Sequence, residues 1–305
     1  MEIQKQILLF FATLHNSFLN SLFQLFTILG EELLLTAVAV FIYWNISKKK
    51  GFIVCLTLMS STIVMGISKA IVRFPRPWTM IDDLDVVRQS TATGYSFPSG
   101  HTSCAGSAYG AMACSFKKRW LSIACAAIIT LVAISRMYLC VHWPMDVAGG
   151  LIIGCGSALL LNGLFSKLFD NFEHYTKPML IIGCALTFIW IGLGIIQNKG
   201  LVDVTAFEDL NVGIAMLSGV IFGYILEKSK YDYEIEEGNW KIKIVRYLIG
   251  MLGVLLFFEG LKSAFKALEI YNSLTRAVRY FITGFWACGL YPLLGRKLKL
   301  FAEKK

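Results

Sequence analysis

Charged residues are scarce in this sequence. Only 16% of the 305 residues are Asp, Glu, Lys or Arg and 56% are hydrophobic, whereas about 25% of residues are charged in average soluble proteins. The mean hydropathy of +0.62 excludes an ordinary soluble domain. Repeated apolar runs of roughly 17–25 residues can each cross the hydrocarbon core of a bilayer as a helix. The composition therefore predicts a polytopic membrane protein.

Several motifs of other protein classes are also missing. The eight cysteines form no C-x-x-C pair and no Cys/His spacing typical of a metal site. Cysteine in apolar runs behaves as a small hydrophobe, so we expect no structural disulfide and no cysteine-bound metal. The sequence has no glycine-rich nucleotide loop, no H-E-x-x-H motif and no repeat of about 20–50 residues.

Positive charge is present but confined to short loops. The net charge of the protein is +9. Lysines and arginines cluster at 48–50, 117–119, 228–243 and 296–305. Basic loops of this kind are typical of the cytoplasmic side of a membrane protein. We therefore expect membrane lipids and no nucleic acid among the partners.

The apolar runs predict an all-α membrane bundle of about nine transmembrane helices. Polar residues interrupt the run at 7–29, which favours an interfacial N-terminal helix or hairpin. The sequence thus divides into an interfacial segment (1–30), a core bundle (31–167) and a C-terminal extension of about four helices (168–305). The predicted spans are 32–46, 51–72, 98–117, 120–137, 144–167, 178–196, 208–227, 244–261 and 276–294.

The first of three polar blocks contains Lys69, Arg73 and Arg76. Lys69 and Arg76 are seven residues apart, so they share one helical face if the helix continues that far. Their ammonium and guanidinium groups suit phosphate oxygens. Basic residues at helix ends also anchor proteins at the membrane interface, and this block alone is compatible with either role.

The second block, Pro98-Ser99-Gly100-His101, is typical of a helix start. Proline favours the first helical position, and Ser96 is the predicted cap. Free backbone N–H groups at a helix start bind anions, and Gly100 lets an anion approach the backbone. An outer helix start with an interfacial histidine is the simpler alternative.

The third block runs from Ser135-Arg136 to His142 and Asp146. Pro144 again favours a helix start, which places Asp146 in the first turn. Four residues separate His142 from Asp146, close enough for the carboxylate to accept the second imidazole N–H and orient the ring. Arg136, at the end of the preceding run, can return to the same point. A helix-dipole acid beside a loop histidine is the alternative.

The pattern K-x6-R-P, then P-S-G-H, then S-R-x5-H-x3-D resembles the three-part signature of the type 2 phosphatidic acid phosphatase superfamily. Every fixed position of the signature is met, and the resemblance covers about residues 30–165. That superfamily includes membrane lipid phosphatases, glucose-6-phosphatase, sphingosine-phosphate phosphatases and vanadium haloperoxidases.

The resemblance implies a role for each residue of the signature. His142 is the implied nucleophile, Asp146 its orienting acid and His101 the general acid for the leaving group. The implied phosphate-binding residues are Lys69, Arg76, Ser99, Gly100 and Arg136. The resemblance to the phosphatases of this superfamily implies no metal and no cofactor. Arg73 lies outside the signature.

We therefore expect an integral-membrane phosphatase whose partner is a lipid phosphate or pyrophosphate substrate. Phosphatidic acid, phosphatidylglycerophosphate, a polyprenyl pyrophosphate and a sphingoid phosphate all fit. If the predicted spans alternate, the polar blocks lie on the non-cytoplasmic side, in a bacterial plasma membrane rather than the endoplasmic reticulum. A lipid transporter or scaffold with a degenerate site is the alternative from another class.

Overall fold

The computed structural model describes residues 1–89, 92, 94–235 and 239–303. Parts of three predicted loops, at 90, 91, 93, 236–238 and 304–305, lie outside these residues. The predicted all-α architecture is confirmed, since the described strands are two pairs of residues only, Tyr233–Glu234 and Ala302–Glu303. The helices are α1 (Glu2–Thr13), α2 (Ser17–Ile28), α3 (Glu32–Asn45), α4 (Lys48–Val72), α5 (Gly100–Phe116), α6 (Arg119–Tyr138), α7 (Pro144–Asp170), α8 (Phe172–Asn198), α9 (Val204–Lys230), α10 (Trp240–Leu255), α11 (Leu261–Ala267), α12 (Ser273–Phe285) and α13 (Tyr291–Lys297).

Helices cover all nine predicted spans, but not all of them are long. Within the described residues, six helices are long and apolar enough to cross a membrane, and α2 with α3 forms a seventh if that pair, bent by 46°, is one span. The other two predicted spans are shorter: α5 has 17 residues, and α12 ends after 13 residues in a π-helical turn. The chain is a polytopic membrane bundle.

The chain forms two compact units. The first comprises residues 1–36, 53–164 and 205–210, and the second comprises 37–52, 165–204 and 211–305. All three polar blocks belong to the first unit. The N-terminal segment predicted to lie at the interface forms two helices, α1 and α2, within that unit.

In the first unit, α5 and α7 approach closely through small residues. A Cβ on Gly154 would lie 2.3 Å from the Ser103 carbonyl oxygen, and one on Gly150 would lie 2.7 Å from that of Ser99. Small residues at such a contact let membrane helices pack backbone to backbone. This packing holds the second polar block against the first turn of α7, which carries Asp146.

The second unit has its own buried polar links. Lys48 Nζ lies 2.7 Å from Glu227 Oε2 and 2.9 Å from Asp232 Oδ1. Arg246, 1% exposed, donates through Nη1 to the Trp44 carbonyl at 2.8 Å. Buried charges of this kind need such partners, because an unpaired charge away from water is costly.

Candidate active site

The first polar block ends α4 and then leaves the helix. Lys69 lies in the last turn, Arg73 adopts a left-handed φ of 48°, and the helix ends at Val72. The condition for Lys69 and Arg76 to share a helical face is therefore not met, because the helix ends before Pro75, which cannot donate to a helical turn. Arg76 instead enters the site from an extended segment.

Arg76 is buried and tied to two loops. Its Nε donates to the Gly94 carbonyl at 3.0 Å, and its Nη1 donates to the Val141 carbonyl at 2.9 Å. The same Nη1 lies 3.0 Å from His142 Nε2. Two backbone acceptors thus fix the guanidinium against the imidazole of the third block.

His142 lies between this guanidinium and a carboxylate. The ring is 2% exposed and Asp146 is fully buried, and His142 Nδ1 is 3.3 Å from Asp146 Oδ2. The helix that carries Asp146 begins at Pro144, as predicted. With Nδ1–H directed at the carboxylate, the lone pair of Nε2 accepts from Arg76, so Nε2 is the nitrogen that faces the cations.

The imidazole of His142 is held in its neutral form. Burial, followed by the charges of Arg76, Arg136 and Lys69, lowers the pKa of His142 well below its usual value near 6.5. A neutral imidazole has a free lone pair and is a nucleophile or base rather than an acid. The surrounding cations thus favour the neutral form of the ring.

Asp146 is oriented by the loop before α5 and by its own helix start. Its Oδ2 accepts from Ser96 Oγ and from the Trp143 amide at 2.8 Å, while Oδ1 has no hydrogen-bond partner among the described residues. Ser96 was predicted to cap α5, and that prediction is wrong. Its hydroxyl is directed at the carboxylate because the helix begins later, at Gly100.

The cap of α5 is Ser99. Its Oγ accepts from the Thr102 amide at 3.5 Å and lies 3.0 Å from Thr102 Oγ1. The helix begins at Gly100, so Pro98 precedes the cap and does not open the helix as predicted. The Ser99 amide donates to the Asp146 backbone carbonyl at 2.9 Å, which joins the second block to the third.

Arg136 reaches the same site from the end of α6. It is 1% exposed, and its Nη1 donates to Thr27 Oγ1 at 2.6 Å. Its Nε is buried without a hydrogen-bond partner among the described residues. A buried donor left unmatched costs about 1–3 kcal/mol, so an anion bound here would be favoured.

Lys69 is already paired with a carboxylate. Its Nζ lies 2.7 Å from Asp209 Oδ2, and the two side chains are 7% and 30% exposed. Asp209 comes from α9, far along the sequence from the three blocks. An ammonium has three N–H donors, so this ion pair leaves donors for a second anion.

The remaining predicted residues fall in two groups. Gly100 and His101 form the first turn of α5. Arg73, in contrast, is exposed. Its Nε donates to the Ala70 carbonyl at 2.9 Å, so it stays beside its own helix end.

Sequence reasoning missed Asp209, Thr27 and the carboxylate contact of Ser96. Asp209 lies in an apolar run of the extension, and Thr27 lies in a segment assigned to the membrane surface. An acid at the start of an apolar run is the only local signal that marks Asp209, since charged residues there are commonly functional.

Known proteins are similar to this chain in sequence. Residues 50–170 match the PAP2 superfamily, and residues 212–304 match the PAP2 superfamily phosphatase transmembrane extension. Together the two matches span more than half of the chain. The chain belongs to the PAP2 superfamily.

Curated relatives of this PAP2 protein include phosphatases. A lipid A 4′-phosphatase of Bacteroides thetaiotaomicron is 26% identical over 217 residues, which cover 66% of this chain and 94% of the relative. An undecaprenyl-diphosphatase of Sulfolobus acidocaldarius is 26% identical over 137 residues, covering 45% of this chain and 66% of the relative. The crystal structure of Aquifex aeolicus LpxE is similar with 23% identity and a TM-score of 0.47, over 51% of this chain and 92% of that one. This PAP2 protein is a membrane phosphatase.

Proposed function

We propose that this PAP2 protein hydrolyses a lipid phosphate or pyrophosphate through a phospho-histidine intermediate on His142. The observation that carries the proposal is the Arg76–His142–Asp146 chain of contacts, with Nε2 3.0 Å from Arg76 Nη1 and Nδ1 3.3 Å from Asp146. A nucleophile, its orienting acid and a fixed cation are thereby within contact of one another.

Arg76 Nη1 donates to the lone pair of His142 Nε2, the atom that must attack. An arriving phosphoryl group supplies better acceptors, its anionic oxygens, and takes over the Arg76 N–H. His142 Nε2 is then released to attack phosphorus. Substrate binding and activation of the nucleophile are therefore the same event.

The transferred phosphoryl group meets three cations. Arg76 and Arg136 are fixed by acceptors on other elements, at Val141 and Thr27, and Lys69 is fixed by Asp209. Preorganised positive charge stabilises the charge that develops on the phosphoryl oxygens in the transition state. The Ser99 hydroxyl and the backbone amide of Gly100 complete this cradle.

The bond changes follow from these positions. As Nε2 of His142 bonds to phosphorus, the bond from phosphorus to the leaving oxygen breaks, and that oxygen takes the electron pair and a proton from His101. Asp146 stabilises the imidazolium that forms. Water then attacks phosphorus while His101 takes one of its protons, the P–N bond breaks with its electron pair returning to His142 Nε2, and inorganic phosphate leaves.

The substrate side of the proposal rests on the membrane setting. The site lies where α4 and α6 end and where α5 and α7 begin, whereas basic residues 48–50 and 117–119 lie at the other ends of these helices. By the positive-inside rule, the site faces the non-cytoplasmic side of the cell membrane. A lipid whose tail stays in the bilayer suits this position, and the relatives act on lipid A and undecaprenyl diphosphate by name.

The test is phosphate release by detergent-purified protein from lipid monophosphates and diphosphates, with EDTA present. We expect release that vanadate inhibits and that His142→Ala abolishes. A Cys184→Ala variant serves as a control, since that cysteine is an exposed free thiol. Equal release by wild type and His142→Ala would overturn the proposal.

A further inference from the structure

The short segment between α6 and His142 supports both the nucleophile and a cation of the site. Its Val141 carbonyl accepts from Arg76 Nη1 at 2.9 Å, and His142 follows directly. At the start of the segment, the Tyr138 carbonyl accepts a hydrogen bond from His15 Nε2 at 2.7 Å. His15 lies in the turn between α1 and α2, far along the sequence from the three polar blocks. A side chain outside the family signature therefore holds the backbone that carries the site.

The imidazole of His15 is held in place by contacts around Tyr138. The two ring centroids are 4.9 Å apart, and the His15 side chain is 5% exposed. The Tyr138 hydroxyl donates to Asn20 Oδ1 at 2.8 Å, and its ring stacks on that of Phe23 with 3.9 Å between centroids. The two nitrogens of the imidazole are thereby directed at fixed neighbours.

The second ring nitrogen of His15 meets a carboxylate. Nδ1 lies 2.7 Å from Asp85 Oδ2, and Asp85 belongs to the loop between α4 and α5. Two residues farther along that loop, the Val87 amide donates to the Leu139 carbonyl at 3.3 Å. His15 thus joins this loop to the segment that leads to His142.

Both oxygens beside the ring are acceptors. A backbone carbonyl cannot donate, so Nε2 of His15 must carry a proton. Asp85 keeps 67% of its side chain exposed, and an aspartate in contact with water is ionised at neutral pH, so Nδ1 must carry a proton as well. A ring protonated on both nitrogens is an imidazolium. Loss of the Nδ1 proton would leave a lone pair facing the carboxylate.

Resting on the function proposed above, we propose that His15 is a positioning residue for the nucleophile, acting as an imidazolium that ties the Asp85 loop to the Tyr138 carbonyl. Its charge-assisted hydrogen bonds hold the segment that sets His142 and Arg76. In the part of the chain that the structure describes, the titratable groups that face the ring are the Asp85 carboxylate and the Tyr138 phenol. The contribution is present while His15 is protonated and is lost as pH rises, because deprotonation removes the charge that the carboxylate binds.

The test compares kcat/KM of wild type and His15→Gln from about pH 5 to about pH 9, with farnesyl diphosphate and dioctanoyl phosphatidic acid in detergent. Glutamine can still donate to the Tyr138 carbonyl but cannot carry the charge. We expect wild type to exceed His15→Gln by roughly 10- to 100-fold at the acid end. The ratio should fall below about threefold at the alkaline end, where wild type has also lost the charge. Taking the ratio at each pH cancels the ionisation of the substrate.

Asp85→Asn is the second variant, since it alters an exposed side chain that the fold should tolerate. Its amide can accept from a protonated Nδ1 or donate to a neutral one, so the advantage of wild type should again decline as pH rises. Two controls make the same chemical changes elsewhere: Asp82→Asn at an exposed position of the same loop, and His174→Gln at an exposed position of α8. Both should match wild type at every pH.

An advantage of wild type over His15→Gln that is absent, or that has the same size at every pH, would overturn the proposal. A ratio of wild type to Asp85→Asn that does not change with pH would overturn it as well. If His142→Ala stays inactive in these cases, the proposed phosphatase function stands. Failure of that function has a different signature, namely equal release by wild type and His142→Ala on both substrates.

Discussion

Asp209→Asn should strengthen the binding of phosphate-like anions to the active site. The carboxylate of Asp209 lies 2.7 Å from Lys69 Nζ, on an ammonium that we propose binds the phosphoryl group. Its negative charge partly neutralises the ammonium and repels the incoming anion. The amide of asparagine keeps a hydrogen-bond acceptor in place but removes this charge.

The magnitude follows from the geometry of the pair. An anion that contacts the other side of the ammonium lies about 5.5 Å from the Asp209 carboxylate, since each N–O contact spans about 2.8 Å. At an effective dielectric constant of about 20, repulsion between unit charges at that distance is roughly 3 kcal/mol. Solvent screening of the 30% exposed Asp209 side chain reduces it to about 1–2 kcal/mol. The inhibition constant should therefore fall by roughly 5- to 30-fold.

The assay is inhibition of lipid-phosphate hydrolysis by vanadate and by inorganic phosphate. Asp82→Asn makes the same charge change at an exposed loop position and should leave both inhibition constants unchanged. An unchanged or weaker inhibition in Asp209→Asn would refute the reasoning, because Lys69 would then not be part of the anion site.

Three further predictions concern the Ser96 contact, the pH dependence of the reaction and the packing of α5 on α7. Ser96→Ala removes a donor to Asp146 Oδ2 and should lower kcat roughly 10- to 100-fold with little change in KM, because a charged hydrogen bond contributes about 1.5–3 kcal/mol; an effect on KM alone would contradict this role. Because the pKa of His142 is lowered, the neutral ring should persist as pH falls below 6.5. The acid limb of kcat/KM, corrected for ionisation of the substrate, should therefore lie below that pH, and a limb above it would contradict the burial argument. Gly154→Ala would bring its Cβ to 2.3 Å from the Ser103 carbonyl oxygen and should destabilise the fold by about 1–3 kcal/mol, measured as a lowered Tm; an unchanged Tm would show that the helices can separate there without cost.

Spacing along the sequence was sufficient to predict the contacts between site residues that lie close together in the chain. His142 and Asp146 are four residues apart around a proline that opens α7, and this local geometry places their side chains in contact. The apolar runs likewise predicted a helix at each of nine positions. Helix length was less predictable. The π-helical turn at Trp286–Leu290 interrupts the last predicted span, and the hydropathy of that apolar run does not indicate the interruption.

Contacts between distant segments could not be read from spacing. The hydrophobic pattern of α9 gives no sign that Asp209 meets Lys69, since that contact depends on how helices pack. Serine is a residue type that commonly caps helices. However, α5 begins four residues after Ser96, and the Ser96 hydroxyl donates to Asp146 instead. Thr27 accepts a hydrogen bond from Arg136, although the polar residues of its segment indicated only a place near the membrane surface.

The most direct test of the account is to identify the residue that carries the phosphoryl group. Protein mixed with a lipid phosphate labelled with ³²P at the terminal phosphate would be quenched within milliseconds under alkaline conditions and digested. The account predicts acid-labile label on the peptide that contains His142, and no labelled peptide from His142→Ala. Rapid turnover by a His142→Ala protein, or label on a different residue of the wild type, would contradict it.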